Sequence, residues 1–184
     1  MRTTTDPARA LAADMMLGQR EVSRQEAAGP VDEWAPTGIP EAMQTQEYAA
    51  AALTAGDVFT DEEAGRAVAD RMVRVSVLRT VRVHQRRILV TRAGIDREVL
   101  PAAAMSRQWA QVADLARLDH VELRVVPPCV PVHPPGFAIL RAVGRVLVQG
   151  PMGGYTPPGP PVRVLDAYTM LFADLWEASD PYPG

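Results

Sequence analysis

Cys129 and His133 are the most reactive pair of side chains in the sequence, four positions apart in Cys129-Val130-Pro131-Val132-His133. A thiol beside an imidazole can act as nucleophile and base, and the same pair can form half of a metal site. The flanking prolines argue instead for a rigid edge or loop, and no carboxylate stands close by in sequence to orient the imidazole. Free cysteines are among the most buried residues, so a packed Cys129 is the expectation. His84 and His120 are isolated; His120 follows the segment Ala102 to Leu118, where an imidazolium would complement a helix carboxyl end.

The densest charge cluster is Arg79, Arg82, Arg86, Arg87 and Arg92. Guanidinium forks suit phosphates, carboxylates or an acidic protein; the alternative is a solvated helix end and loop. Arg82, Arg86 and Arg87 are the candidate contacts to a small acidic partner. Nucleic acid is not expected for this chain alone, because no aromatic residues interleave with the arginines and the formal charge is −3. Tyr155 lies in Gly153-Gly154-Tyr155-Thr156, where a ring on a glycine-hinged loop makes a lid or simply anchors the loop. Nucleophile-elbow, zinc-protease, phosphate-cradling and dinucleotide-binding motifs are absent.

Composition narrows the chemistry further. The 184 residues are 47% apolar, enough for a globular domain with a substantial core. All 19 basic residues are arginine, which excludes a Schiff-base or lysine-base mechanism. A single cysteine excludes an internal disulfide and a cysteine-based zinc cage, and no cofactor or metal is expected. No apolar run reaches membrane-spanning length, and Met1 to Asp6 does not open a secretory signal, so a cytoplasmic location with no membrane contact is expected.

The elements that must position these residues are a set of helices and strands. Residues 1–35 read as a mobile or partly helical arm. A first helix is expected from Pro40 to Ala55, closed by Gly56. The second has a capping box, Thr60 with Glu63, and a stripe of Val68, Met72, Val75 and Leu78. Arg66, Arg71, Arg74 and Arg79 fall mostly on its opposite side. Ile88–Thr91 and Val121–Val126 read as strands, and Phe137–Val143 and Arg145–Gln149 as a hairpin turning at Gly144. Helices follow from Ala102 to Leu118 and after Pro161. The fold class is α+β: one small, mostly antiparallel sheet of about four strands packed against several helices. The expected organisation is an arm at 1–35, one domain at 36–178 and a coil tail at 179–184.

The run Ile39-Pro40-Glu41-Ala42-Met43-Gln44-Thr45-Gln46-Glu47-Tyr48-Ala49 resembles the signature "v-P-G-L-L-Q-T-e-d-Y-A". That signature marks an effector domain of actinobacterial antitoxin-like (Scr- or WhiJ-type) regulators, where it follows an XRE-type helix-turn-helix. Ala69–Arg74, Ile88–Leu100, Gln108–Leu118, Val121–Pro127 and His133 with Phe137–Leu140 are similar to later family blocks, in order. Residues 30 to 178 are covered. The segment before residue 30 is too short for the helix-turn-helix, and Arg92 and Gln149 stand where the family tends to carry Glu.

The resemblance implies a stand-alone effector domain that binds a small apolar ligand or a small acidic protein, sensing or titrating without binding DNA itself. A homodimer is compatible with it. The alternative is a cofactor-independent enzyme on the same scaffold, such as a cyclase or tailoring enzyme of secondary metabolism, with the eight methionines suited to an adaptable pocket. The candidate ligand-binding residues are Tyr155, Arg92, Gln149, His133 and Met43.

Overall fold

A computed structural model describes residues 20–55, 60–130, 134–149, 155–156 and 162–183. A helix over residues 20–27 (α1) leads into β1 (Val31–Ala35), a 3-10 turn at Glu41–Met43, α2 (Gln46–Thr54) and α3 (Asp61–Thr80). Then come β2 (Arg86–Thr91), the one-turn α4 (Arg92–Ile95), α5 (Ala102–Ala116) and β3 (Val121–Val126). β4 (Phe137–Leu140), β5 (Arg145–Gln149), β6 (Tyr155–Thr156), α6 (Val162–Glu177) and β7 (Asp180–Pro181) complete the chain.

Among the described residues seven strands form one sheet in the order β6-β5-β4-β1-β2-β3-β7. β1, β2 and β3 run parallel, and the other four pairings are antiparallel. The class is α+β with a mixed sheet. Parallel neighbours need a crossover; α2 and α3 supply the first and α5 the second.

Side chains alternate between the two faces of each strand. On one face Ala35, Ile88, Val90 and Leu123 meet Met43, Tyr48, Leu78, Met105, Val112 and Leu115. On the other, Trp34, Leu89, Phe137, Ile139 and Val146 pack under Phe172 and Leu175 of α6. Phe137 meets Tyr168 and Phe172 edge-on at 4.8 and 6.4 Å between ring centroids. Burying rings and aliphatic side chains of this size contributes roughly 1.5–3 kcal/mol each. Val22 of α1 joins Val31, Ala138, Leu140 and Leu147.

Several boundaries differ from the sequence expectation. Residues 31–35 are a central strand rather than part of an arm, while the helix at residues 20–27, docked through Val22, agrees with the partly helical expectation. Asp180–Pro181 pairs with β3, so the tail is not all coil. The sheet also exceeds the expected four strands, because β1 carries two acids and β6 and β7 are two residues long. The helix expected from Pro40 begins only at Gln46; Thr45 caps it by accepting from the Tyr48 N–H, which leaves Glu41–Met43 as a separate turn. The Thr60–Glu63 capping box is present as read. The hairpin turns through a 3-10 segment, Arg141–Val143, and then Gly144 at φ +57°, a left-handed position that favours glycine. Gly56 lies outside the described residues. No helix among those described is long and apolar enough to cross a membrane.

Candidate functional site

The carboxyl ends of β1, β2 and β3 lie at one end of the sheet, with the amino ends of β4 and β6 and the carboxyl end of β5. β1 changes partner type there, having parallel β2 on one side and antiparallel β4 on the other. The loops leaving this end are tied down. The Thr91 hydroxyl donates to the Pro36 carbonyl at 2.6 Å and accepts from the Gly94 N–H at 2.9 Å. A side chain at Gly94 would run into the Pro36 carbonyl, so α4 presses directly on the loop after β1. The Trp34 indole N–H donates to the Pro134 carbonyl at 3.1 Å, fixing the chain entering β4 above the aromatic layer.

The residues singled out in the sequence do not converge on one point. Gln149 and Tyr155 are cross-strand partners on β5 and β6. The Gln149 side chain lies over Gly136, which leaves no room for a β-carbon there, and its N–H donates to the Gly136 carbonyl at 2.6 Å. Arg92 begins α4, exposed and ion-paired with Asp96 at 2.6 Å. Between β2 and β5 lie β1 and β4, so Arg92 and Gln149 stand three strand spacings apart, about 14 Å. Met43 is fully buried beneath α5, where the Gln108 amide donates to its carbonyl at 2.9 Å; it is a core residue and not a surface ligand contact. His133 and the Tyr155 side chain fall outside the described residues. Cys129 is exposed, contrary to expectation, because it rides on a turn of the proline-rich loop after β3. Among the described residues no group of His, Cys, Asp and Glu could hold a metal ion.

The arginine cluster is not one surface patch. Arg82 is exposed. Arg86 is buried and donates to the Glu26 carbonyl at 2.6 Å. Burial pushes its pKa below the usual arginine value, with Arg74 adding to that and Glu26 and Glu33 opposing it. Arg87 grips Asp32 with two hydrogen bonds of 2.7 and 2.9 Å and lies 5.1 and 5.2 Å from the Phe172 and Trp176 ring centroids. Arg141 donates to the same carboxylate at 2.6 Å. This triad stands near the amino end of β1, away from the loop end. Of the expected trio, Arg82 is exposed, Arg86 is buried and Arg87 is bound to Asp32.

A second polar group, not anticipated from the sequence, lies wholly inside. Arg74 is 0% exposed and spans two carboxylates, Glu26 of α1 at 2.5 Å and Glu41 of the 3-10 turn. Arg71 donates to Glu41 and to the Gln44 amide oxygen, both at 3.0 Å. Both arginines were expected on the exposed side of α3. They turn inward because the acids that neutralise them come from elements remote in sequence, which a local periodicity cannot register. The signature-like run thus supplies Glu41 and Gln44 to a buried ion network. Its backbone is held by α5, where Gln108 accepts from the Thr45 N–H at 2.7 Å and Gln111 donates to the Gln44 carbonyl at 2.7 Å.

A family model described as "Domain of unknown function (DUF5753)" matches residues 19–181. No curated protein and no solved structure matches the chain.

Proposed function

The chain belongs to the DUF5753 family, and on that footing we propose that it is a sensing domain of the antitoxin-like regulator type. It takes a small, largely apolar molecule at the carboxyl end of β1. The observation that carries this reading is the switch in strand direction beside β1. Open sheets bind ligands outside the carboxyl ends of their parallel strands, where neighbouring connections diverge. The layer beneath is apolar, with Trp34 and Phe137 fully buried and Val130 packed against them. Gln149, paired with Tyr155 on the neighbouring strand, supplies a polar rim. The burial of Arg86 and the Asp32-bound state of Arg87 favour a small molecule over an acidic protein. The net charge of −3 does not favour nucleic acid.

Cys129, the single thiol, is exposed on a loop at this end and serves as a reporter. Small apolar compounds that raise the melting temperature of the chain should also slow Cys129 modification by a thiol reagent. Gln149→Glu should weaken such compounds by about tenfold, since a half-buried polar contact mismatched in charge costs on the order of 1.4 kcal/mol. Hits that neither protect Cys129 nor respond to Gln149→Glu would place the ligand elsewhere and sink the reading. A hit that is chemically converted would move it to an enzyme.

A further inference from the structure

Helix α1 is held by an unusual underside. Among its described residues the apolar side chain in the core is Val22. Ser23 and Glu26 are also buried, at 4% and 2% exposed; Glu26 receives two hydrogen bonds from Arg74 at 2.5 and 3.1 Å and offers its carbonyl to Arg86. Arg20 adds an outer tie to Asp70 at 3.0 Å, with its own side chain 73% exposed. The interior behind Glu26 is charged and balanced, with Glu26, Glu33 and Glu41 against Arg71, Arg74 and Arg86. Such a lining can rehydrate, whereas apolar lining cannot without large cost. Residues 20–27 of α1 are helical where they dock, and Glu26 faces the buried charges rather than a broad apolar layer. The helix is followed by Gly29-Pro30, where Gly29 passes too close to Ala142 to tolerate a side chain. Beyond this point the chain is locked as β1, with the Arg141 N–H donating to the Pro30 carbonyl at 3.1 Å.

We propose that α1 is a releasable strap, pivoting at Gly29-Pro30 and latched by the Glu26 carboxylate on Arg74. Arg74 is also held by Glu41, in the turn that continues the loop leaving β1. Strap and loop therefore draw on one guanidinium, and a shift of either changes the hold on the other. The device stands whether or not the ligand reading does, because it rests on the buried network alone.

Hydrogen exchange on the full chain tests it. In Glu26→Gln the amides of residues 24–28 should exchange about tenfold to a hundredfold faster, while β1 and β2 keep their protection. Trypsin should then cut at Arg24. Glu26→Asp, which keeps the charge on a shorter arm, should fall between wild type and Glu26→Gln. In Glu41→Gln the amides of residues 43–48 should speed up while α1 does not, since Arg74 is left to Glu26. Equal acceleration of α1 and the sheet in Glu26→Gln would mean that the network is ordinary core, and no acceleration of α1 would mean that contacts other than the Glu26 carboxylate hold it. Either outcome overturns the proposal. If Glu26→Gln does not fold, wild-type exchange in sub-denaturing urea decides: α1 must open with a weaker urea dependence than β1 and β2, and an identical dependence overturns the strap.

Discussion

Arg74→Met removes the guanidinium at the centre of the buried network and keeps most of the side-chain volume. Arg74 is 0% exposed and its carboxylate partners Glu26 and Glu41 are 2% and 4% exposed at the side chain. Glu41 retains Arg71 at 3.0 Å, so the loss falls mainly on Glu26. Breaking a buried ion pair from one side costs about 3–5 kcal/mol when the remaining charge stays desolvated, and release of α1, by rehydrating Glu26, would bring the loss toward the lower end. Against a domain stability of about 5–15 kcal/mol this is a large share. For a chain of this length it corresponds to a fall in melting temperature of about 6–20 °C. Urea titration followed by circular dichroism gives the number directly, provided the slope is unchanged. Removing the stranded acid as well, in Arg74→Met with Glu26→Leu, should recover about 2 kcal/mol or more relative to the sum of the single changes. The exposed pair Arg107–Glu47 is the internal control: its side chains are 59% and 53% exposed, and Arg107→Ala should cost about 0.2–1 kcal/mol. A cost below about 1 kcal/mol for Arg74→Met, or strict additivity in the double variant, would refute the reasoning.

Other expectations are simpler. Gly65→Ala should stabilise the chain by about 0.5–1 kcal/mol in thermal melts, since Gly65 sits inside α3 and a β-carbon there meets nothing within 4 Å. Gly94→Ala should destabilise by about 1–3 kcal/mol in the same assay, because the β-carbon would press on the Pro36 carbonyl. Arg86→Met should cost at most about half as much as Arg74→Met, since burial opposes the Arg86 charge and its Nε has no hydrogen-bond partner among the described residues; urea titration of the two variants side by side decides it. Cys129 should react fully with Ellman's reagent in the folded protein, without a denaturant-dependent delay.

Local signals in the sequence were good guides where a structure depends on near neighbours. Thr60 and Glu63 announce the start of α3 because both hydrogen bonds of the box close within one turn. Val121–Val126 reads as a strand because its apolar positions alternate, and Val68, Val75 and Leu78 recur at helical spacing and are buried. β1 was not legible. Val31-Asp32-Glu33-Trp34-Ala35 looks like solvated chain, yet all five residues are buried. Asp32 is matched by Arg87 and Arg141, 55 and 109 positions away. Arg71 and Arg74 escape local periodicity for the same reason, as their acids lie 30 to 48 positions upstream. Charge neutralisation at long range leaves no trace in periodicity. At the candidate site, the nearness of Gln149 to Tyr155 followed from a strand too short to recognise, and the separation of Arg92 from both followed from strand order, which spacing along the chain does not encode.

The two border strands of the sheet have a bearing on how copies of this protein can meet. β7 is two residues, one acidic and one proline, and β6 is equally brief. Proline has no N–H, so the β7 border offers an incoming chain at most one backbone donor, and an acidic side chain beside it. Extension of the sheet from one molecule into the next is thereby discouraged at that border, which guards against ordered aggregation during synthesis and storage. Mutations that seek to open this protein to pairing along the β7 border would therefore begin at Asp180 and Pro181.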